Sequence, residues 1–152
     1  MNTRGYFAIR YGGEHYVMYN SSGSEFRKLG YDLVRSIQGM TNERWELIKK
    51  VLRSSPREKN CLNADEERST PRDSNDKNFL LSVMKNYKGG WVTRREPGVD
   101  GWILYVYVID LDVNVFTVIT ENHKDEYAEG EWRYNCRFEN LSTEWLDSCD
   151  SE

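Results

Sequence analysis

Long hydrophobic runs are missing from this sequence. Its longest apolar stretch, Trp102 to Ile109, has the length of a β-strand, whereas a membrane-spanning helix needs about 20 apolar residues. No apolar segment of the kind that directs secretion precedes the cysteines. We therefore expect a protein that neither crosses a membrane nor enters the secretory route.

Cysteine and histidine are also scarce, with three and two residues among 152. The odd cysteine count and the absence of a Cys-x-x-Cys pair predict a reduced, cytoplasmic protein. His15 and His123 lie in no recognisable Cys–His signature. His123 with Asp125 and Glu126 lacks the spacing of a zinc or calcium site. These patterns predict no cysteine nucleophile, no metal and no cofactor.

Basic residues are not clustered as in a dedicated nucleic-acid binder. Residues 1–120 hold 18 Lys and Arg against 15 Asp and Glu, and residues 121–152 hold 3 against 10. Phosphate contacts need clustered positive charge, and only the doublet Arg94-Arg95 beside Trp91 combines charge with a stacking ring. We expect no nucleic-acid partner. The acidic C-terminal region, 121–152, is either a solvated tail or a surface for a basic partner.

Aromatic residues, in contrast, are abundant. They make up 13% of a chain whose hydrophobic fraction is 38%, and each ring buries more area than an aliphatic side chain. The length predicts one domain, 1–152, with an aromatic-led core. Within it, segment 54–77 has no aromatic residue, five basic and six acidic residues. Such a segment buries too little surface to offset its ordering entropy, so we predict a flexible polar insert.

Two hairpins are readable in the chain. Gly12-Gly13 separates predicted strands at 5–11 and 14–20, where a tight turn needs positive φ. A second hairpin is predicted from 102–110 and 115–120. The first of its strands has no polar side chain between Ile103 and Ile109, which favours a central strand covered on both faces.

Apolar residues at helical spacing predict helices between these strands and after them. Thr41 and Asp76 are the expected N-caps of the second and third helices, and either Ser142 or Thr143 is the expected N-cap of the last. We predict an α+β fold: an antiparallel sheet of four to five strands covered by two to three helices. An edge strand in the first hairpin would allow a homodimer across a twofold axis. The predicted helices lie near 33–37 and at 42–53, 77–87 and 142–148, with a further strand at 131–138.

One set of residues resembles a known family. It comprises Thr3-Arg4-Gly5, Arg10-Tyr11, Gly13, Tyr16, Tyr19-Asn20, Ser24 and Leu29-Gly30, with Tyr107 to Asp112 further along. Over 3–37 and 103–118 the chain resembles a family of uncharacterised small bacterial and fungal proteins. These open with a Thr-Arg-Gly hairpin and a Tyr-Asn…Leu-Gly loop. The resemblance implies no established activity, and the family's His and Asp fall on Ser21 and Gly23 here.

Few residues carry recognisable chemistry. Thr3 as an N-terminal nucleophile requires removal of two residues, and we expect it instead to begin an edge strand. Asp110 and Asp112 end a strand, where they would pair as acid and base, hold Mg²⁺ or simply form a turn. The glycine doublets Gly12-Gly13 and Gly89-Gly90 do not open a helix after a strand, as a phosphate-binding loop must.

We therefore predict a non-enzymatic interaction module that binds a partner protein through an aromatic or acidic surface. The alternative is an enzyme or small-ligand-binding protein. Its site would lie where Tyr16, Tyr19 and Asn20 of the first hairpin approach Asp110 and Asp112.

Overall fold

The computed structural model describes residues 3–20, 22–54, 57–58, 77–86, 91–94, 103–121 and 131–150. In this part of the chain a π-helical turn, Phe26–Gly30, precedes the first α-helix, and a 3-10 turn, Phe138–Asn140, precedes the last. The elements in chain order are β1 Gly5–Tyr11, β2 Glu14–Asn20, α1 Tyr31–Gln38, α2 Asn42–Ser54, β3 Arg57–Glu58, α3 Phe79–Asn86, β4 Trp91–Arg94, β5 Tyr105–Asp110, β6 Val115–Glu121, β7 Glu131–Arg137 and α4 Thr143–Asp150.

The strands form one mixed sheet in the order β3-β4-β2-β1-β5-β6-β7. The pairs β1–β2, β5–β6 and β6–β7 are antiparallel, whereas β1 and β5 run parallel. The predicted α+β class is confirmed. The sheet was predicted to be antiparallel, whereas β1–β5 and β3–β4 are both parallel pairs. The short strands β3 and β4 were not predicted, because strands of two and four residues have no readable period. Nothing local to β1 specifies the direction of its neighbour.

The first hairpin matches its prediction at both strands. Gly12 and Gly13 have φ values of 61° and 79°, and this pair of positive angles forms the two-residue turn that suits the twist of flanking strands. The hairpin is not at an edge, however. β1 lies between β2 and β5, and β2 lies between β1 and β4. The predicted edge strand in this hairpin is therefore wrong, and the outermost strands are β3 and β7.

Each face of the sheet carries a cluster of buried side chains. All four helices of the described chain contribute fully buried side chains, such as Leu33, Ile48, Leu80 and Leu146, to a cluster on one face. The opposite face carries a second buried cluster that includes Ala8, Val106 and Val108. β5 is thus an interior strand buried on both sides, as its polar-free sequence predicts. The largest fully buried side chains are aromatic, led by Tyr16, Tyr107, Phe7 and Phe116.

Side-chain caps begin three of the helices. The Thr41 hydroxyl accepts a hydrogen bond from the Arg44 amide at 3.2 Å, and the Ser142 hydroxyl accepts one from the Trp145 amide at 3.0 Å. The predicted cap at Thr41 is confirmed, and of the two candidates for the last helix, Ser142 and Thr143, it is Ser142 that accepts the hydrogen bond. At α3 the Asn78 side chain accepts from the Leu81 amide at 3.1 Å. The predicted cap, Asp76, lies outside the described residues.

Parts of two predicted regions also lie outside the described residues. In the predicted insert, 54–77, Ser54 closes α2 and Arg57–Glu58 forms β3, while 55–56 and 59–76 are not described. In the acidic region, 121–152, β7 and α4 are described and 122–130 is not. The flexible insert and the role of the acidic region stay predictions. No helix in the described ranges is long and apolar enough to cross a membrane.

A buried hydroxyl provides a test of the core. Tyr107 is fully buried, and its hydroxyl donates a hydrogen bond of 2.6 Å to the Ser24 carbonyl. Tyr107→Phe leaves that carbonyl without this donor. We expect the free energy of unfolding, measured by urea denaturation, to fall by about 1–3 kcal/mol.

As a control, Tyr11→Phe removes a hydroxyl that contacts the exposed Arg53 guanidinium at 3.0 Å, with an expected change in the free energy of unfolding within about 0.5 kcal/mol. Equal losses in the two variants would contradict this role of Tyr107.

Candidate functional site

The five residues predicted to form a site lie at two opposite ends of the sheet. Arg10 is opposite His15 on β2 and Asp110 on β5, so Tyr16 lies near the end that carries Asp110 and Asp112. Asn20 is opposite Gly5, at the other end of the hairpin. Three residues of strand, roughly 10 Å, separate Tyr16 from Tyr19. The structure therefore places Tyr16 at the same end of the sheet as the two aspartates, two strands away from β5, and places Tyr19 and Asn20 towards the opposite end.

At the far end, the buried side chain of Asn20 helps to close the loop that follows β2. Its amide donates hydrogen bonds to the Ser22 carbonyl at 2.8 Å and to the Ser24 hydroxyl at 2.7 Å. The Ser24 amide in turn donates to the Thr3 carbonyl at 3.1 Å. Tyr19 packs edge-on against Tyr6, with 5.7 Å between ring centroids. These hydrogen bonds hold the loop after β2 against the residues that lead into β1.

At the near end, the two aspartates join the turns of the two hairpins. The Asp112 carboxylate accepts hydrogen bonds from the amides of Gly12 at 2.8 Å and Gly13 at 2.9 Å. Asp110 pairs with Arg10 at 3.1 Å and also accepts from the Asp112 amide at 2.9 Å. Both carboxylates thus bind backbone amides or the Arg10 guanidinium. The contacts of Asp112 with the Gly12 and Gly13 amides and of Asp110 with Arg10 connect the hairpin β1–β2 to the hairpin β5–β6.

The surroundings of Asp112 also set its ionisation. The hydrogen bond from the Gly13 amide is the main cause that lowers the pKa of this carboxyl below its usual value, and Gly12 and Arg10 act in the same direction. A carboxyl held ionised in this way is a fixed acceptor and a poor proton donor near neutral pH.

Tyr16 is almost fully buried, with its hydroxyl 3.3 Å from the Glu14 carboxylate.

A groove that the sequence did not reveal lies beside the same turn. Its volume is about 570 Å³, and it is bounded by one stripe of α2, the β5–β6 turn and the 3-10 turn after β7. The lining residues are Asn42, Trp45, Glu46, Lys49, Leu111, Val113, Asn114, Arg137, Phe138 and Glu139. We call this feature the α2 groove.

Two stacked aromatic rings form the apolar part of the α2 groove. Trp45 and Phe138 have ring centroids 5.5 Å apart and planes 11° from parallel, and both rings are partly buried. Leu111 packs beneath the turn, while Val113 is 59% exposed. The Phe138 amide donates to the Asn114 carbonyl at 3.0 Å. This hydrogen bond fixes the turn relative to the aromatic pair.

Each side of the α2 groove carries one ion pair. Lys49 lies 3.5 Å from Glu46 on α2, and Arg137 lies 3.6 Å from Glu139 on the other side. Each side therefore has one positive and one negative side chain. This balance favours neither a strongly acidic nor a strongly basic ligand, although each charged group remains an available hydrogen-bonding partner at the rim.

Only the side of the α2 groove that α2 contributes forms a recognisable pattern in the sequence. Asn42, Trp45, Glu46 and Lys49 recur at the spacing of one helix face. Trp45 also falls on the apolar stripe with Ile48, Val51 and Leu52, and such a stripe predicts a core residue rather than a binding residue. The opposing residues come from distant parts of the chain. No cluster of three His, Cys, Asp or Glu side chains that would hold a metal occurs within the described ranges. His123 and Arg95 lie outside those ranges.

The contribution of Asp112 to stability predicts a particular pH dependence. Because its folded pKa is lowered, its stabilising effect is present above the unfolded pKa of about 4 and is lost as pH falls through the folded pKa. We expect the melting temperature of the wild type to exceed that of Asp112→Asn by a constant difference above about pH 5. Below about pH 4 this difference in melting temperature should shrink. A difference in melting temperature that stays unchanged down to about pH 2 would contradict the stabilising role of the hydrogen bonds from the Gly12 and Gly13 amides to Asp112.

Comparison of the chain with protein-family models, with curated proteins and with solved structures finds no match. The resemblance to the family that opens with a Thr-Arg-Gly hairpin therefore stays a prediction.

Proposed function

We propose that this protein is a non-enzymatic interaction module that binds an extended segment of a partner protein in the α2 groove. The observation that carries the proposal is the stacked pair Trp45–Phe138 in an open groove. A large apolar side chain of the partner packs on this pair. Aromatic residues in such positions supply most of the binding energy in many protein interfaces.

The polar residues of the groove favour a peptide backbone as the occupant. Asn42 and Asn114 are exposed and lie on opposite sides, and each side-chain amide offers both a donor and an acceptor. Each residue of a peptide likewise offers one hydrogen-bond donor, its N–H, and one acceptor, its C=O. A neutral extended segment therefore matches both the amides and the balanced ion pairs.

The length of the α2 groove determines how many residues of the partner segment it can hold. The stripe from Asn42 to Lys49 covers seven helical steps, about 10 Å. An extended chain crosses that distance in about three residues. We therefore propose one apolar anchor residue with one uncharged neighbour on each side. The rest of the partner would contact surfaces beyond the groove.

The alternative, an enzyme with a site between the first hairpin and Asp110–Asp112, has less support. Asp112 accepts two backbone amides and Asp110 pairs with Arg10, so their hydrogen bonds serve to hold the turns. A cytoplasmic location fits the proposal because the buried Cys136 of the described chain is a free thiol, the state favoured in a reducing compartment.

Peptide selection tests the function. Random twelve-residue peptides displayed on phage are selected on the wild-type protein alone. We expect the surviving peptides to share one large apolar residue among uncharged neighbours. In titrations with one synthetic peptide of this group, Trp45→Ala should weaken binding at least about 30-fold, the effect of losing an aromatic hot spot.

The matched control lies on the same helix. Leu47 is 38% exposed and does not line the groove, so Leu47→Ala should leave the peptide affinity within about twofold. Circular dichroism confirms that both variants are folded. Peptides that bind wild type and Trp45→Ala equally well, or that share only a run of like charges, would overturn the groove as the binding site.

A further inference from the structure

We propose that the segment bound in the α2 groove is one turn of polyproline II helix with the sequence Pro-Φ-Pro, in which Φ is the apolar anchor residue. This conformation names the class of partner for the proposed function and therefore rests on it. Four properties of the groove favour it: the backbone of its walls, its polar side chains, its length and its balanced charge.

The described walls of the α2 groove present no row of backbone groups to an occupant. They are a helix, the turn between β5 and β6 and the 3-10 turn after β7, and only Arg137, the last residue of β7, belongs to a strand. The backbone of α2 is hydrogen-bonded within the helix, and the Phe138 amide donates to the Asn114 carbonyl. A bound β-strand would need backbone partners. Polyproline II keeps its backbone solvated and has no such need.

The polar side chains of the α2 groove suit the carbonyl groups of such a segment. The indole of Trp45 and the amides of Asn42 and Asn114 line the groove, and they form no side-chain hydrogen bond with any other residue of the described chain. Each of the three offers an N–H donor. Proline has a carbonyl but no N–H, so a Pro-Φ-Pro segment presents three backbone acceptors and a single donor.

The length and charge of the α2 groove fit the same segment. One turn of polyproline II contains three residues and rises about 9 Å, close to the stripe of about 10 Å from Asn42 to Lys49. Proline rings and an apolar Φ pack on the stacked rings of Trp45 and Phe138, as proline-rich segments do in aromatic-lined grooves. The two ion pairs at the rim balance each other in charge, which matches an uncharged segment.

Conformational entropy also favours proline in so short a site. A segment of three residues makes few contacts, so the freedom that it loses on binding weighs heavily in its affinity. Proline fixes its own φ at about −65° and confines the residue before it to extended backbone. A Pro-Φ-Pro segment is therefore largely in its bound conformation before it binds.

Three synthetic peptides test the conformation of the segment. Each has Leu as Φ in the middle of a Gly-Ser sequence, and the two residues beside Φ are both Pro, both Val or both Ala. These pairs favour polyproline II, strand and helix respectively. NMR titration of the wild-type protein measures the three dissociation constants. We expect the Pro peptide to bind about 4- to 30-fold more tightly than the other two, because each proline restricts the free peptide.

The same titration reports on the proposed donor. The indole N–H resonance that disappears in Trp45→Ala is the resonance of Trp45, and it should shift as the Pro peptide is added to the wild type. An indole resonance that stays unchanged at saturation would contradict the hydrogen bond from Trp45 to the segment.

Two protein variants separate failure of this conformation from failure of the proposed function. Trp45→Ala should weaken binding of the Pro peptide at least about 30-fold, whereas Leu47→Ala should change its affinity by less than about twofold. Val or Ala peptides that bind as tightly as the Pro peptide, with the same dependence on Trp45, would overturn polyproline II and leave binding in the groove intact. Binding of the Pro peptide that does not depend on Trp45 would overturn both proposals, and no detectable binding of the Pro peptide would overturn polyproline II.

Discussion

The parallel pairing of β1 with β5 is the constraint on which the rest of this structure depends. Each hairpin forms from neighbouring residues, but this pair joins them across a sequence separation of 100, from Gly5 opposite Tyr105 to Arg10 opposite Asp110. Parallel neighbours cannot be joined by a tight turn and need a long crossover. Here α1, α2 and α3 lie in the intervening chain, and their apolar faces cover one side of the sheet.

The register of that pair decides which polar groups meet. Because Ile9 and Ile109 are level, the turns of the two hairpins emerge side by side, and Asp112 reaches the amides of Gly12 and Gly13. A shift of one residue would turn every side chain of β5 to the opposite face. The aspartates that resemble an acid–base pair in the sequence are, in the folded protein, the acceptors that hold two turns together.

The α2 groove follows from this arrangement. Ile48 and Leu52 are fully buried and orient α2 so that Trp45 lies beside the β5–β6 turn, where Phe138 meets it after β7. Three parts of the chain thus supply the groove. An aromatic pair that remains partly exposed gives up some of the stabilisation that full burial would bring, which is why we propose this surface for binding.

The sequence by itself determined the local elements. The Gly12-Gly13 turn, the caps at Thr41 and Ser142 and the apolar stripe of α2 depend on residues within a few positions of one another, so they were predicted closely. Strand β5 was recognised as interior because its side chains are apolar on both faces. Only the tertiary structure decided the parallel register, the separation of Tyr19 and Asn20 from Asp110, and the meeting of Trp45 with Phe138. Those contacts join distant segments, and their free energy depends on how whole faces pack rather than on any local pattern.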